Sequence, residues 1–239
     1  MTDLKSTILL YALRVPTVLI AITIHEVSHG FAAYKLGDTT ARDTGRLSLN
    51  PLRHLTLLGV VFMLVFGFGF AKPVPIDTRR FRRPKLGMAL TALAGPLSNV
   101  VLSLIGIIAG SIILKIPYGG ATFAYYYQGY ALGMVTNMQL TYGFWILFAL
   151  YSFFYVFGWM NMSFAIFNLL PIPPLDGSRV LLVFLPARAY FNVMRYEGVI
   201  MIILFALLWL GVLDGPLVTM MNSAYNWAVN LVRLIPFLR

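Results

Sequence analysis

The run His25-Glu26-Val27-Ser28-His29 contains two histidines four residues apart, with a glutamate directly after the first histidine. On a helix, residues four apart lie on one face, so both imidazoles can bind one zinc ion at roughly 2.0–2.1 Å. Glu26 then lies beside the metal and can take a proton from a zinc-bound water molecule. The pattern predicts a hydrolytic site with one Zn2+ ion. The alternative is a polar helix face buried against a neighbouring helix.

The composition places this motif in a membrane protein. Of the 239 residues, 59% are hydrophobic and 11% are charged, whereas soluble domains have about 45–50% apolar and about 25% charged residues. Ionisable groups in a lipid-embedded helix are costly and call for a functional partner, which strengthens the zinc interpretation. We expect a single membrane-embedded domain over residues 1–239, with a catalytic core at about 16–180 and C-terminal helices at about 196–239.

The net charge of +10 and the absence of cysteine restrict the function further. The basic residues cluster between apolar runs, which is typical of cytoplasmic loops beside the anionic head groups of a lipid bilayer. No nucleic-acid motif accompanies the charge, so we expect no nucleic-acid partner. Without cysteine, thiol catalysis and cysteine-based metal sites are excluded.

The apolar runs predict an all-α polytopic membrane protein with about four to five transmembrane helices. The predicted spans lie at 7–36, with the helix itself from about Pro16, and at 86–114, 140–170 and 197–213. The tail at 216–235 places Asn222, Asn226 and Asn230 on one helical stripe, and it is either interfacial or a fifth span. Basic loops follow the first span, precede the second and follow the third, which indicates that these three ends share the cytoplasmic side.

Residues 55–71 are apolar but rich in valine, phenylalanine and glycine, and basic loops lie on both sides. A single crossing would put one of these loops on the wrong side of the membrane. A re-entrant β-like hairpin over 55–76 keeps both on the cytoplasmic side, provided that protein or a cavity shelters its backbone. Its edge, with Gly67, Phe68 and Gly69, is the predicted place where an extended substrate binds by strand addition.

A catalytic zinc usually has three protein ligands, so a further ligand must come from the remaining acids or from His54. Asp176 is the best candidate, because it follows three prolines in the run 168–177 (NLLPIPPLDG). The prolines forbid a helix and hold an extended segment that can carry a carboxylate back into the bilayer, and Gly177 permits a tight turn. The alternative is an Asp-Gly turn outside the membrane, while His54 is expected to make a polar loop contact. The other acids are Asp3, Asp38, Asp43, Asp77, Glu197 and Asp214.

The run Gly95-Pro96-Leu97-Ser98-Asn99 lies inside the second predicted span, where Gly95 and Pro96 loosen the helix. Asn99 could donate a hydrogen bond to a developing oxyanion, or it could join two helices, as asparagine and small residues often do in membranes. His25 and Asn99 both lie roughly 15–20 Å from the cytoplasmic helix ends at 1.5 Å per residue. The two side chains can therefore meet.

These motifs, in this order, resemble those of the site-2 protease family of intramembrane zinc metalloproteases, peptidase family M50. The matching pieces are His25–His29, Gly95–Asn99 and the segment 168–177 that ends in Leu-Asp-Gly. Residues 37–51 (GDTTARDTGRLSLNP) and 72–75 are similar to the compact bacterial and archaeal branch, which lacks a PDZ or CBS domain. The resemblance covers residues 16–180.

The resemblance implies zinc bound by His25, His29 and Asp176, with Glu26 as the general base. It also implies that Asn99 and Asn168 assist substrate positioning or oxyanion stabilisation. The implied substrates are single-span membrane proteins, cleaved within or near their transmembrane segments by regulated intramembrane proteolysis. The implied location is a bacterial or archaeal cell membrane, with the active site nearer the cytoplasmic face.

Two other functions are compatible with the same motifs. A membrane metal transporter or metal sensor would use the same ligands but would not need Glu26. A proteolytically inactive scaffold that binds membrane partners is disfavoured, because the three ligands and the base are all present. A regulatory membrane partner or an oligomer is compatible with each of these functions.

Overall fold

The computed structural model describes residues 4–56, 71–118, 121–131 and 141–238. Helix α1 (Leu4–Lys35) and the short helix α2 (Thr40–Asp43) come first. The rest comprises α3 (Pro84–Leu114), strands β1 (Pro117–Tyr118) and β2 (Ala121–Thr122), α4 (Phe123–Ala131), α5 (Tyr142–Asn168), α6 (Asp176–Leu182), α7 (Ala187–Arg195), α8 (Glu197–Trp209) and α9 (Asp214–Val232). Short 3-10 turns lie at Pro51–Arg53, Thr78–Arg80 and Pro236–Leu238.

Three of these helices are long and apolar enough to cross a membrane, with candidate spans at Tyr11–Lys35, Pro84–Leu114 and Tyr142–Asn168. Helices α8 and α9 meet at an angle of 88° and count as a fourth candidate if the bent pair is one span. The predicted all-α membrane fold is confirmed. The lower of the two predicted numbers of spans, four, is reached if the bent pair counts as one span. Helix α8 has 13 residues, so at 1.5 Å per residue it reaches about 20 Å and is too short to span by itself.

The prediction that the first helix begins near Pro16 was wrong, because α1 starts at Leu4 and contains Pro16 in its interior. Proline is tolerated inside transmembrane helices, where neighbouring groups satisfy the freed backbone atoms. Helix α3 likewise continues through Gly95 and Pro96 without a break.

Small residues allow α3 and α5 to pack closely. A Cβ atom added at Gly106 would lie 2.8 Å from the backbone nitrogen of Gly158, and the Ser103 hydroxyl donates to the Gly158 carbonyl at 2.7 Å. Contacts of this kind are typical of helix pairs in lipid, where packing and hydrogen bonds replace the hydrophobic effect between helices. This close contact brings the polar residues of α3 and α5 within reach of each other.

Helix α9 packs against the same pair of helices. Its residues Tyr225, Ala228 and Val232 form a buried cluster with Ile107 of α3 and Met162 of α5. Asn222, on the predicted asparagine stripe, accepts a hydrogen bond from the indole N–H of Trp159 at 3.0 Å. The asparagine stripe therefore includes a contact to the bundle.

The re-entrant hairpin predicted for 55–76 lies mostly outside the described residues, and this includes Gly67, Phe68 and Gly69. Its base is described: Leu55 and Ala71 form an antiparallel bridge, and the Lys72 N–H donates to the His54 carbonyl at 2.8 Å. The two-stranded sheet that the structure describes is a different one. It pairs β1 with β2 after α3.

Candidate metal centre

Two histidines of α1 and the first residue of α6 bring three ligand atoms together. The Nε2 atoms of His25 and His29 lie 3.0 Å apart. The Oδ2 atom of Asp176 lies 3.1 Å from His25 Nε2 and 3.2 Å from His29 Nε2. Within the described residues, these three side chains form the one group of His, Cys, Asp and Glu suited to hold a metal ion.

The other nitrogen of each imidazole contacts a hydrogen-bond acceptor. His29 Nδ1 lies 2.7 Å from the carbonyl oxygen of Thr91, so it must carry the proton and donate. His25 Nδ1 lies 2.6 Å from Asn99 Oδ1. The orientation of that amide follows from Asn99 Nδ2, which lies 3.3 Å from the carbonyl oxygen of Ala21. In their neutral form both imidazoles are therefore protonated at Nδ1, and both Nε2 atoms then carry a lone pair.

Three electron-pair donors consequently face one another in a buried place. The exposed fractions of His25 and His29 are 9% and 7%, and Asp176 Oδ2 has no hydrogen-bond donor in the described part of the chain. Such a set is unfavourable unless a cation lies between its members. Tetrahedral zinc at 2.0–2.1 Å would separate its ligands by about 3.3 Å, close to the three distances found. The residues present therefore fit a zinc ion.

Asp176 reaches the histidines because α6 begins directly against the end of α5. A Cβ atom added at Gly177 would clash with the Leu169 carbonyl oxygen and lie 2.6 Å from that of Leu170. The local prediction was wrong in detail: residues 169–175 form turns rather than an extended segment, and Gly177 lies in the first turn of α6. The glycine is needed for close packing rather than for an unusual backbone angle.

Gly95 lies directly beside the two imidazoles. A Cβ atom added there would be 2.5 Å from His29 Nε2 and 2.7 Å from His25 Cε1, which is shorter than any ordinary contact. Thus the glycine of the Gly-Pro-x-x-Asn run makes room for the metal-binding side chains on the neighbouring helix.

Glu26 is 8% exposed and accepts a hydrogen bond from the backbone N–H of Val74 at 3.0 Å. The Val74 side chain packs over Gly30, where an added Cβ atom would lie 3.1 Å from Val74 Cγ1. The segment around Val74 thus lies directly on α1, against Glu26 of the histidine motif and against Gly30, which follows His29.

Two buried charged side chains hold this segment in place. Arg46 Nη2 donates to the carbonyl oxygen of Lys72 at 2.5 Å and to that of Pro73 at 3.3 Å. Asp38 Oδ2 accepts from the Asp77 N–H at 2.7 Å, while its other oxygen accepts from Thr40. The basic loop after α1 therefore positions residues 72–77, which contact Glu26.

Among the other acids considered as a third ligand, Asp38, Asp43, Asp77 and Glu197 make side-chain contacts elsewhere. Thr39 and then Arg42 donate to Asp43 and lower the pKa of its carboxyl. Arg79 donates to Asp77 through its side chain and backbone and lowers the pKa of that carboxyl. Glu197 pairs with Arg179 at 2.8 Å. Asp214 begins α9, Asp38 accepts from Asp77, as above, and Asp3 lies outside the described residues.

The remaining predicted residues lie at the edges of this site or beyond it. Asn168 is the last residue of α5, and its Nδ2 donates to the Phe164 carbonyl one turn earlier at 3.0 Å. His54 Nε2 contacts the Ser48 carbonyl at 2.7 Å, in the loop where a polar contact was expected.

Sequence reasoning missed Asn161, which is fully buried in α5 and contacts Asn99. The rule applied to Asn99, that an amide in an apolar span needs a partner, would have found it.

Comparison with known proteins gives one family. A model described as "Peptidase family M50" matches residues 15–211. "Putative zinc metalloprotease YwhC" of Bacillus subtilis (strain 168) is 38% identical over 165 residues, covering 69% of this chain and 65% of that protein. "Putative zinc metalloprotease Rip2" of Mycolicibacterium smegmatis is 28% identical over 165 residues, covering 66% of this chain and 52% of that protein.

The protein of the same name from Mycobacterium tuberculosis (strain ATCC 25618 / H37Rv) is 26% identical over 163 residues, with 66% of this chain and 52% of that protein covered. The matched region therefore spans about half to two thirds of the length of these relatives. No solved structure gives a significant match to the chain.

Proposed function

This chain belongs to peptidase family M50, and we propose that it is an intramembrane zinc metalloprotease. Its substrates on this proposal are single-span membrane proteins, cut within or near their transmembrane segments. The observation that carries the proposal is the convergence of His25, His29 and Asp176 within 3.2 Å, with their lone pairs facing one another. Two relatives that are each named "Putative zinc metalloprotease" support it.

The proposed roles follow from the contacts of each side chain. His25 and His29 bind zinc through Nε2, and Asp176 binds it through Oδ2. Glu26 is the general base. Asn99 holds the ring of His25 through Nδ1 and leaves Nε2 free for the metal. This differs from direct oxyanion stabilisation, since both hydrogens of the Asn99 amide face acceptors, namely Ala21 and Asn161.

The reaction is the addition of water to a peptide carbonyl, followed by cleavage of the C–N bond. Bound zinc would supply Lewis acidity, activating a water molecule and polarising the scissile carbonyl. The Glu26 carboxylate accepts one proton from the attacking water and later donates it to the leaving nitrogen. The Val74 N–H holds one oxygen of Glu26 during both transfers. Helix α1 supplies His25 and Glu26 as neighbours and His29 about one turn later, so the base and two ligands are fixed relative to each other.

A helical substrate hides its carbonyls in hydrogen bonds and must unwind before it is cut. The hairpin predicted for 55–76, with Gly67, Phe68 and Gly69, remains our proposed capture edge, and Asn168 a proposed substrate contact. In the described part of this segment, the Lys72 and Val74 N–H groups already have acceptors, and the residues at 73 and 75 are prolines. Capture by strand addition is therefore assigned to the part before residue 71.

The location of the site follows from its basic surroundings. We propose that the loops at 38–54 and 72–85 and helices α6 and α7 face the cytoplasm of a bacterial or archaeal cell, since arginine and lysine concentrate there. The site then opens nearer the cytoplasmic face.

We further propose one membrane-embedded domain, with the catalytic core at 16–180. The packing of α9 on α3 and α5 supports a single unit.

The proposal is tested by reconstituting the wild-type chain and Glu26→Gln in liposomes with a panel of single-span substrates. Bound zinc and cleavage are measured on the same samples. Gln keeps an oxygen that can accept from Val74, so the substitution removes the base with little change in shape. We expect cleavage to fall by about 10²–10⁴-fold, while zinc content stays near that of the wild type.

Cleavage by Glu26→Gln at the wild-type rate would exclude Glu26 as the base. Zinc passing through liposomes that contain the wild type, without cleavage of any substrate, would favour the metal-transport alternative. A wild-type chain that binds no zinc would contradict the proposal as a whole.

A further inference from the structure

A chain of buried amides leads away from the metal centre, from α1 through α3 to α5. Asn99 and Asn161 are 1% and 0% exposed. Asn99 Oδ1 lies 2.6 Å from His25 Nδ1, and Asn99 Nδ2 lies 2.9 Å from Asn161 Oδ1. Asn161 Nδ2 in turn lies 2.8 Å from the backbone carbonyl oxygen of Phe157.

The direction of the hydrogen bonds in this series of amides is fixed at its far end, at Asn161. A backbone carbonyl only accepts, so the group of Asn161 beside Phe157 must be its NH2. The Asn161 oxygen then faces Asn99, which requires the Asn99 NH2 to point toward α5. The Asn99 oxygen consequently faces His25 and accepts its Nδ1 proton. Each group thus determines the orientation of the next, and the last one determines which nitrogen of His25 is free.

We infer that Asn161 is a positioning residue for the metal centre, acting on His25 through Asn99. Partners of this kind hold a metal-binding histidine in one tautomer and one ring orientation, and their loss typically costs 10–100-fold in metal affinity or activity. Asn99 also contacts the Ala21 carbonyl, but at 3.3 Å. The contact to Asn161 is the shorter one. The inference rests on the proposed zinc site and adds a residue from outside its three motifs.

The protein offers a matched control in the same interface between α3 and α5. Ser103 is also fully buried on α3, and its hydroxyl donates to the Gly158 carbonyl on α5 at 2.7 Å. Ser103→Ala removes a buried polar link between the same two helices without touching the line from Asn161 to His25. Any loss common to both substitutions reports on helix packing, whereas a loss specific to Asn161→Leu reports on His25.

The test measures the zinc dissociation constant of the full chain in detergent micelles, by competition with a chromogenic chelator. The variants are Asn161→Leu, Asn99→Leu, the double variant and Ser103→Ala, with thermal melting followed for each. We expect zinc binding to weaken about tenfold in Asn161→Leu and 10–100-fold in Asn99→Leu. The double variant should be no weaker than Asn99→Leu, because residues that act in series are not additive.

A further variant, Asn161→Asp, keeps an oxygen opposite the Asn99 NH2 and should retain zinc better than Asn161→Leu. This comparison holds even if the leucine variant melts at a lower temperature. Wild-type zinc affinity in Asn161→Leu would overturn the inference, and so would an equal loss in Ser103→Ala or full additivity in the double variant. In each of these contradicting outcomes the wild type still binds zinc. Failure of the proposed zinc site would instead appear as a wild type that binds no zinc, so the two failures are distinguishable.

Discussion

The backbone N–H of Val74 donates a hydrogen bond to the carboxylate of Glu26 at 3.0 Å, although 48 residues separate them in the chain. A hydrogen bond to an ionised acceptor is roughly twice as strong as one between neutral groups. Glu26 is thus held by a segment outside α1, the helix that carries it. Residues 37–54 reach this contact indirectly, because Asp38 and Arg46 bind residues 72–77.

Replacing Arg46 by Met is expected to slow cleavage about tenfold while bound zinc stays at the wild-type level. The substitution keeps much of the buried volume but removes the donors to Lys72 and Pro73, so Val74 is held less firmly on Glu26. Hydrogen–deuterium exchange should rise in residues 72–77. Arg53→Met is the control, since Arg53 is exposed and donates to Gly45 instead. Unchanged exchange in Arg46→Met would contradict the positioning role.

Gly95→Ala is expected to weaken zinc binding at least about tenfold. The new methyl group would lie 2.5 Å from the His29 ring, so the imidazoles or the helices must shift, and overpacking of this kind typically costs about 1–3 kcal/mol. Gly110→Ala in the same helix provides the comparison, because its nearest neighbour, an atom of Tyr151, is 3.7 Å away. Zinc affinity and melting temperature are measured for both. Equal behaviour of the two variants would argue against a steric role for Gly95.

Asp176→Asn should abolish stoichiometric zinc binding in purified protein, measured by elemental analysis. The amide keeps the shape of the side chain but removes the charge that faces the two Nε2 atoms. Asp214→Asn is matched to it, since each aspartate begins a helix and precedes a glycine. The Asp214 variant should hold one zinc per chain, as the wild type does. If Asp176→Asn also retained a full complement, another residue would have to be the third ligand.

Removing zinc with a chelator is expected to lower the melting temperature of the wild type but not that of Asp176→Asn. A ligand that binds only the folded state stabilises it by about 2.7 kcal/mol at a free concentration of 100 times its dissociation constant. The buried lone pairs of His25, His29 and Asp176 would also lose their partner. Restoring zinc should restore the melting temperature. A wild type that melts identically with and without zinc would exclude a structural contribution of the metal.

The sequence by itself determined the class of fold and the chemistry of the site. Hydropathy over about 20 residues predicts spanning helices, and the spacing of His25 and His29 places both rings on one helix face. Both patterns are local, so neither depends on how the chain packs. The three spaced motifs also carried the family resemblance, which the match to residues 15–211 confirms.

The similar height of His25 and Asn99 along their two helices was likewise predictable, because each helical residue rises 1.5 Å. On that basis, His25 and Asn99 were expected at similar depth, and their side chains are 2.6 Å apart. The sequence could not determine whether the Asn99 side chain faces the substrate. The rise per residue does not say which way a side chain points around the helix axis. That direction depends on the packing of α3 between α1 and α5.

Only the tertiary structure decided which groups hold the site together. The contact of Asn161 with Asn99 joins residues 62 positions apart, and the contact of Gly95 with His29 requires close approach of two helices. The donor to Glu26 is a backbone N–H at Val74, and every non-proline residue has such a group, so residue type carries no signal for it. Local patterns identify the reactive side chains, whereas the partners that orient them follow from long-range packing.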